Sequence, residues 1–330
     1  MRSSCLATFA ALSLVAAGHR GARAERVSTG PATVPSPAAA NRVEPATPPR
    51  LDPALDPADV LSLTRDPVLG ASDRVDGDEA RGVVAFTFDD GPNPDTTPAV
   101  IAALEKYDVP ATFFVVTRRL VGTQGQKARE LLAREIAAGF EIGSHSVSHP
   151  SLKAASAKVL AREIDGSLRT LAPQANRPIG LFRPPFGAFS KTGARHLKKL
   201  GLTDVRWSVD TLDWQAKHAG RLRAKVLKMI VKQRGGVVLM HDVKAITAQI
   251  IDGVLDDLEA ENCRRLAAAE EPIVPVSLHY FLKDGKTPRP LPDAVERRTA
   301  AYRAALPARC ARRPAPVPAS AVTPSPAPAR

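Results

Sequence analysis

Between about residue 80 and residue 280, short apolar runs alternate with amphipathic stretches. The apolar runs are VVAFTF (Val83–Phe88), ATFFVV (Ala111–Val116), FEIGSHS (140–146), GLFRPP (180–185), DVRWSV (204–209), GVVLMH (236–241) and PIVPVSL (272–278). Most are rich in β-branched or aromatic residues and read as buried strands. The stretches between them, such as KARELLAREIAAG (127–139) and RLRAKVLKMIVKQ (221–233), place apolar residues at helical spacing. Thr97 and Pro98 suit the start of the first helix, and Gly139 suits the end of the second. Seven strands alternating with six helices predict an α/β chain with a parallel sheet or barrel.

The polar residues of this map cluster at one place in each unit. Asp89 and Asp90 follow the first strand, His145 and His149 the third, Arg183 the fourth, Asp210 and Asp213 the fifth, and His241 ends the sixth. All lie at carboxyl ends of strands, which meet on one face of a parallel barrel. Carboxylates at the end of a buried strand are costly unless something uses them. His145 and His149 are spaced so that a helical turn would put both imidazoles on one side. Two imidazoles and a carboxylate from Asp89 or Asp90 make a three-ligand metal site with open positions. The other aspartate is then free to take a proton. In FRPPFG, Pro184 and Pro185 lack a backbone N–H, so Phe186 offers the first donor after Arg183, a candidate for stabilising an oxyanion. His241 is a candidate proton donor to a leaving amine, and Asp213 or Asp210 is a candidate to pair with an imidazole or a guanidinium. Trp214, beside Asp213, is placed either to stack on a sugar ring or to pack.

The flanks differ in composition. The chain has 330 residues, 30 of them proline, concentrated toward both ends. Arg2, the apolar run Cys5–Gly18 and the Ala-Arg-Ala at 22–24 read as a secretory signal peptide over 1–24. Residues 25–80 read as a Pro-rich linker, and 284–330 as a C-terminal extension, Pro/Ala-rich and disordered from about residue 306. No other run is long enough to cross a bilayer, so no stable transmembrane segment is expected once the signal is cleaved. The expected location is periplasmic, cell-envelope or extracellular. Three cysteines occur, Cys5, Cys263 and Cys310, with no Cys-x-x-Cys pattern. Export would place Cys263 and Cys310 in an oxidising compartment, and whether they pair stays open at this level. The formal charge of +12 makes an anionic cell-envelope polymer a candidate partner. Arg221, Lys225, Lys228 and Lys232 would form one outer helix face. No nucleic-acid motif accompanies the charge, and export argues against such a partner.

TFDDGP (87–92), HSVSH (145–149), RPPFG (183–187), DTLDW (210–214) and LMH (239–241) together resemble the polysaccharide deacetylases of carbohydrate esterase family 4, the NodB-homology domain, in content and order. The resemblance implies a domain over 81–283 with a distorted (β/α)7 barrel. It implies a metal-dependent hydrolase that removes N-acetyl groups from an N-acetylglucosamine-type polysaccharide such as peptidoglycan, a chitin-like oligomer or an exopolysaccharide. One divalent ion, zinc first, with cobalt or nickel as alternatives, would be held by Asp90, His145 and His149. Asp89 would be the general base, oriented by Arg183, and His241 the general acid, tuned by Asp213. Phe186 would supply the oxyanion N–H, and Trp214, Leu239 and Pro184 would contact substrate. Many members have tyrosine where this chain has Phe186. The alternatives are an inactive carbohydrate-binding relative or an O-deacetylase of a polymer such as xylan. A two-carboxylate glycosidase is disfavoured by the paired histidines.

Overall fold

A strand with no charged residue before its last position has to be covered on both faces, and Val83–Asp89 (β1) is buried along its whole length. The structure, a computed structural model, describes residues 63, 66–123 and 125–313. After β1 come α1 (Thr97–Lys106), β2 (Ala111–Val115), α2 (Gly125–Ala137), β3 (Glu141–Ser144), α3 (Ala157–Leu160), α4 (Gly166–Ala175), β4 (Leu181–Phe182) and α5 (Lys191–Leu200). Then follow β5 (Thr203–Asp204), β6 (Val209–Asp210), α6 (Ala219–Gln233), β7 (Gly235–His241), α7 (Ala245–Ala267), β8 (Val274–Pro275), the hairpin β9 (Lys283–Asp284) and β10 (Thr287–Pro288), and α8 (Asp293–Ala311).

The main sheet is parallel, with strand order β5-β4-β3-β2-β1-β7-β6, and β8 joins β1 beside β2. β1 pairs with β7 over its full length, from Val83↔Gly235 to Asp89↔His241. β5 and β6 end the order and do not pair with each other, so the sheet curls without closing. The predicted strand 204–209 is thus two short pieces. Between them the chain turns to Val75, which bridges Val205 in parallel and bonds to both Asp204 and Arg206. A third chain segment takes up the pairing that a continuous fifth strand would have used.

Alternation along the strands gives two cores. Val84, Phe86 and Phe88 face the helices α1, α2, α6 and α7 in the larger one. Val83 and Ala85 face the inside of the curl, with Phe114, Leu181, Val237, Val274 and Phe281. Thr87 and Asp89 continue the inner face toward the strand ends, where the apolar filling gives way to polar groups.

Two boundaries of the sequence reading move. Leu63, Leu69 and Val75 lie in the segment read as linker, yet all are buried, and the Ala71 N–H bonds to the Gly201 carbonyl. Leu69 and Val75 pack into the inner core and Leu63 into the larger one, so a few apolar side chains spaced among prolines join this segment to the fold without a compositional signal. At the other end, Tyr302 and Leu306 on α8 close the inner core, and the helix runs to Ala311, past the expected onset of disorder near 306. The expected signal peptide, most of the expected linker and residues 314–330 lie outside the described residues. No helix among the described residues is long and apolar enough to cross a membrane.

Cys263 on α7 and Cys310 on α8 form a disulfide, which resolves the open pairing. It ties α8 to the barrel alongside ion pairs from Arg309 and Arg313 to Glu259. The bridged cysteines are 47 residues apart, and closing a loop of that size in the unfolded chain removes about 4 kcal/mol of chain entropy. Cys263→Ser should therefore lower the urea midpoint clearly, and a reductant should lower that of the wild type to match. Equal midpoints for wild type and variant without reductant would show that the bridge does not hold α8 in solution.

Candidate active site

The ends of β1, β3, β4, β6 and β7 bring the predicted polar residues to one face. Arg183, directly after β4, is fully buried and is the largest such side chain. Its Nη1 donates to Asp89 Oδ1 at 2.8 Å and to Thr87 Oγ1 at 2.7 Å. Nε and Nη2 donate to the carbonyls of Val205 (3.3 Å) and Arg206 (3.2 Å), across the unpaired seam beside β5. The guanidinium packs on Phe114, 4.2 Å from the ring centre. Burial lowers its pKa from the ordinary value, and Asp89 works against that shift.

Asp89 is 2% exposed, with Oδ1 on Arg183 and Oδ2 3.6 Å from His145 Nε2. Asp90 turns away from the strand with φ +78°, in the left-handed region, ahead of the cis Gly91–Pro92 bond. Its Oδ1 lies 3.3 Å from His149 Nε2 and 3.8 Å from His145 Nε2. His145 Nδ1 bonds to the Arg183 carbonyl at 2.7 Å, which assigns its proton to Nδ1 and leaves the Nε2 lone pair facing the carboxylates. Burial, then the nearby His145, lower the pKa of His149, which keeps it neutral and able to ligate.

The two histidines are not on a helix, as their spacing suggested. They follow β3 in an irregular loop, where Ser146 (φ +72°) and His149 (φ +63°) are both left-handed. The Ser146 hydroxyl accepts the His149 N–H at 3.0 Å and shapes that loop. The loop brings the rings to 4.9 Å between centres, the proximity that a helical turn was expected to give.

One ligand atom each from Asp90, His145 and His149 lie within 4.8 Å of one another. Two imidazole nitrogens and one carboxylate oxygen on a shared point suit a tetrahedral divalent ion with a position left open. The backbone carbonyl on His145 Nδ1 is the outer partner that such a ligand needs to hold its tautomer. The donor set therefore fits a divalent metal.

His241, at the end of β7, stands opposite Asp89 in the β1–β7 register. Its Nδ1 is 2.7 Å from Asp213 Oδ1, and its backbone N–H donates to Asp213 Oδ2 at 2.7 Å. Thr247 Oγ1 also donates to Asp213 Oδ2, at 2.5 Å. Burial favours neutral imidazole, but the Asp213 hydrogen bond and charge outweigh it and raise the His241 pKa to about 9. Burial pushes the Asp213 carboxyl up, yet His241 and Thr247 hold it below its usual range. Asp210 is not the partner; its Oδ1 accepts the Leu212 N–H.

The remaining predicted residues surround this group. Phe186 is left-handed (φ +59°), 68% exposed, and sets its ring edge against His149 at 4.6 Å. The turn's own hydrogen bonds come from the N–H groups of Gly187 and Ala188. Pro184 is buried beneath it. Leu239 is 5% exposed and lies two residues below His241 on the same strand face. Trp214 is 54% exposed, directly after Asp213.

Thr87, Thr211, Thr247 and Asp242 went unnoticed in the sequence. Thr87 had a legible signal, a lone hydroxyl in the otherwise apolar AFTF run on the same face as Asp89. Thr247 had none, because it reaches Asp213 only through the packing of α7.

Comparison with known proteins places the fold in a known family. Residues 76–205 match the family model described as polysaccharide deacetylase. A peptidoglycan-N-acetylglucosamine deacetylase of Listeria monocytogenes is 36% identical over 54% of this chain and 36% of its own length. A chitooligosaccharide deacetylase of a Bradyrhizobium strain is 37% identical over 48% of this chain and 70% of its own. Among solved structures, a peptidoglycan deacetylase of Bdellovibrio bacteriovorus aligns with a TM-score of 0.52 and 30% identity, covering 60% of this chain and 55% of that one. The match thus spans only about a third of the Listeria relative's length.

Because the folded His241 pKa lies near about 9, above its ordinary 6.5, its stabilising contribution is complete below about pH 6.5 and is lost as pH rises through 9. For the metal-free protein that loss is on the order of 3 kcal/mol at most. Urea unfolding in chelator at the two ends of this window should show the decline, and Asp213→Asn should flatten it. An equal slope in the wild type and Asp213→Asn would show that the pair does not carry the effect.

Proposed function

The chain belongs to the polysaccharide deacetylase family, and from that membership we propose that it is a metal-dependent hydrolase that removes N-acetyl groups from an N-acetylglucosamine-type polysaccharide. The observation that carries this reading is the pair of adjacent aspartates facing different groups. Asp90 joins His145 and His149, while Asp89 is held by Arg183 beside them.

In this reading Asp90, His145 and His149 hold one divalent ion, zinc first. Bound there, the ion would acidify a water and polarise the acetyl carbonyl. Asp89 takes the proton from the attacking water, and Arg183 keeps its carboxylate aimed. The Phe186 N–H stabilises the oxyanion that forms on the acyl oxygen. His241, protonated at neutral pH by its raised pKa, donates to the leaving amine nitrogen. The C–N bond breaks, leaving acetate and a free amine on the sugar. Leu239 and Pro184 bound the acetyl group, and Trp214 offers an exposed ring to a neighbouring sugar.

The folded domain in this reading starts before residue 81, at about Asp66, and α8 belongs to it through the disulfide. The disulfide supports export to an oxidising compartment, as the N-terminal signal suggests. Arg221, Lys225, Lys228 and Lys232 are exposed side by side on α6, and none pairs with a carboxylate among the described residues. We assign this row to retention on an anionic cell-envelope polymer.

Acetate release from peptidoglycan, chito-oligomers and acetylated xylan, with zinc or cobalt supplied, tests the activity. Asp89→Asn should abolish release while zinc still binds, because the ligands remain. Near-normal release from that variant would remove Asp89 as the base. Exhaustive chelation should stop turnover without unfolding the barrel, whose two cores do not include the site, and a divalent ion should restore it. Full activity after chelation would sink the metal reading.

For the basic row, Lys225→Glu, Lys228→Glu and Lys232→Glu together should reduce retention on whole sacculus. Retention by the wild type should fall as salt approaches about 1 M, where the Debye length is ~3 Å. Turnover of a neutral chito-oligomer should stay unchanged. Undiminished retention by the triple variant would return the row to an ordinary solvated helix face.

A further inference from the structure

We infer that Asp242 is a positioning residue for Asp90, gripping the turn that carries this carboxylate through Thr97; the inference rests on the reading of Asp90, His145 and His149 as metal ligands. The β1–β7 ladder ends at Asp89↔His241, so the next residues on the two strands are Asp90 and Asp242. Side chains alternate along a strand, so His241 shares the inner face with Asp89, and Asp242 is directed to the opposite side, behind the turn. There it is fully buried.

Among the described residues, the hydrogen-bond partner of the Asp242 side chain lies at the start of α1, with the charges of Asp90, Arg119 and Glu135 acting on it. Its Oδ2 accepts from the Thr97 hydroxyl. The same hydroxyl accepts the Asn93 N–H at 2.8 Å, so its single proton is committed to Asp242. A continuous chain of donors therefore runs from the backbone of the turn, through Thr97, to the carboxyl. Gly91 completes the fit, because a β-carbon there would fall on the Asp242 carboxylate.

Asp242 is not explained by core stability. Burial pushes its pKa up to about 7, and Oδ1 has no hydrogen-bond partner among the described residues. A buried carboxyl with an idle oxygen is a stability cost. What it does hold is a non-glycine residue in the left-handed region, a conformation that persists only when the surroundings over-determine it. From the β2 side, Asp90 is tied by its N–H to the Phe114 carbonyl and by Arg119 Nε to its own carbonyl. From the β7 side the grip is Asp242. Consecutive residues of β7 thus serve the two halves of the site: His241 faces the base, and Asp242 holds the turn bearing the metal carboxylate.

The test is calorimetric titration of zinc into metal-free protein, with the thermal midpoint of each metal-free protein measured alongside. Thr97→Val keeps the shape of the side chain and removes the hydroxyl; Asp242→Ala removes the carboxyl. Both should weaken zinc binding by about 10-fold or more, the usual effect of losing an outer partner of a metal ligand. Asp242→Asn keeps an oxygen for Thr97 and should bind zinc nearly as the wild type does. A residue that served only the core would change the midpoint and leave zinc affinity alone. Wild-type zinc affinity in Thr97→Val overturns the proposal, and that variant decides the matter if Asp242→Ala does not fold. A wild type that binds no zinc overturns the metal reading and this inference together, whereas a zinc-binding wild type with unaltered variants overturns this inference alone.

Discussion

The buried guanidinium of Arg183 is the constraint on which both the barrel and its site depend. A charge without exposure must be paired and hydrogen-bonded, and removing one partner of such a pair costs about 3–5 kcal/mol. Here the demand is met by Asp89, Thr87 and the carbonyls of Val205 and Arg206. The two carbonyls belong to the stretch where β5 and β6 fail to join. One side chain therefore bridges the open seam of the sheet and orients the carboxylate next to Asp90, His145 and His149. The Arg183 backbone carbonyl adds a third task by holding His145 Nδ1.

From this centre the division between the aspartates follows. Asp89 lies on the inner face of β1, above Val83, Ala85 and Thr87, where Arg183 reaches it. Asp90 is one residue further and would face the helices if the strand continued. The left-handed turn swings it back toward His145 and His149 instead. The sheet edge thereby delivers two chemically identical side chains to two different partners. The His241 side is built in the same way: Asp213 leaves β6 in a short turn, and three donors from His241 and Thr247 fix both its oxygens.

The part of the fold that composition misjudged lies where few residues matter. Leu63, Leu69 and Val75 are scattered through a Pro-rich segment, and Tyr302 and Leu306 sit on a helix rich in alanine and arginine. Each group is too sparse to give a periodic signal. Leu63 packs into the larger core, and the other four fill the inside of the curl, because an unclosed sheet leaves an apolar face that some other segment must cover. The same logic places the Cys263–Cys310 bridge: the last two helices dock so that cysteines 47 residues apart meet, a proximity that spacing cannot encode.

By itself the sequence determined the alternation of strands and helices, and it placed the chemistry at the strand ends. Both are local properties: a run of apolar residues needs burial, and a carboxylate or imidazole at its end needs a partner. The polar residues it singled out, Asp89, Asp90, His145, His149, Arg183, Asp213 and His241, converge at one face of the fold. Tertiary structure alone decided how they converge. The His145–His149 spacing is satisfied by an irregular loop with two left-handed residues rather than by a helical turn. Asp213 rather than Asp210 pairs with His241, because the turn after β6 aims one carboxylate at β7 and uses the other to accept its own backbone N–H. Thr247 and Asp242 enter the site only through the packing of α7 and the β1–β7 register. A one-dimensional pattern records what each residue needs; which neighbour supplies it depends on how the sheet curls.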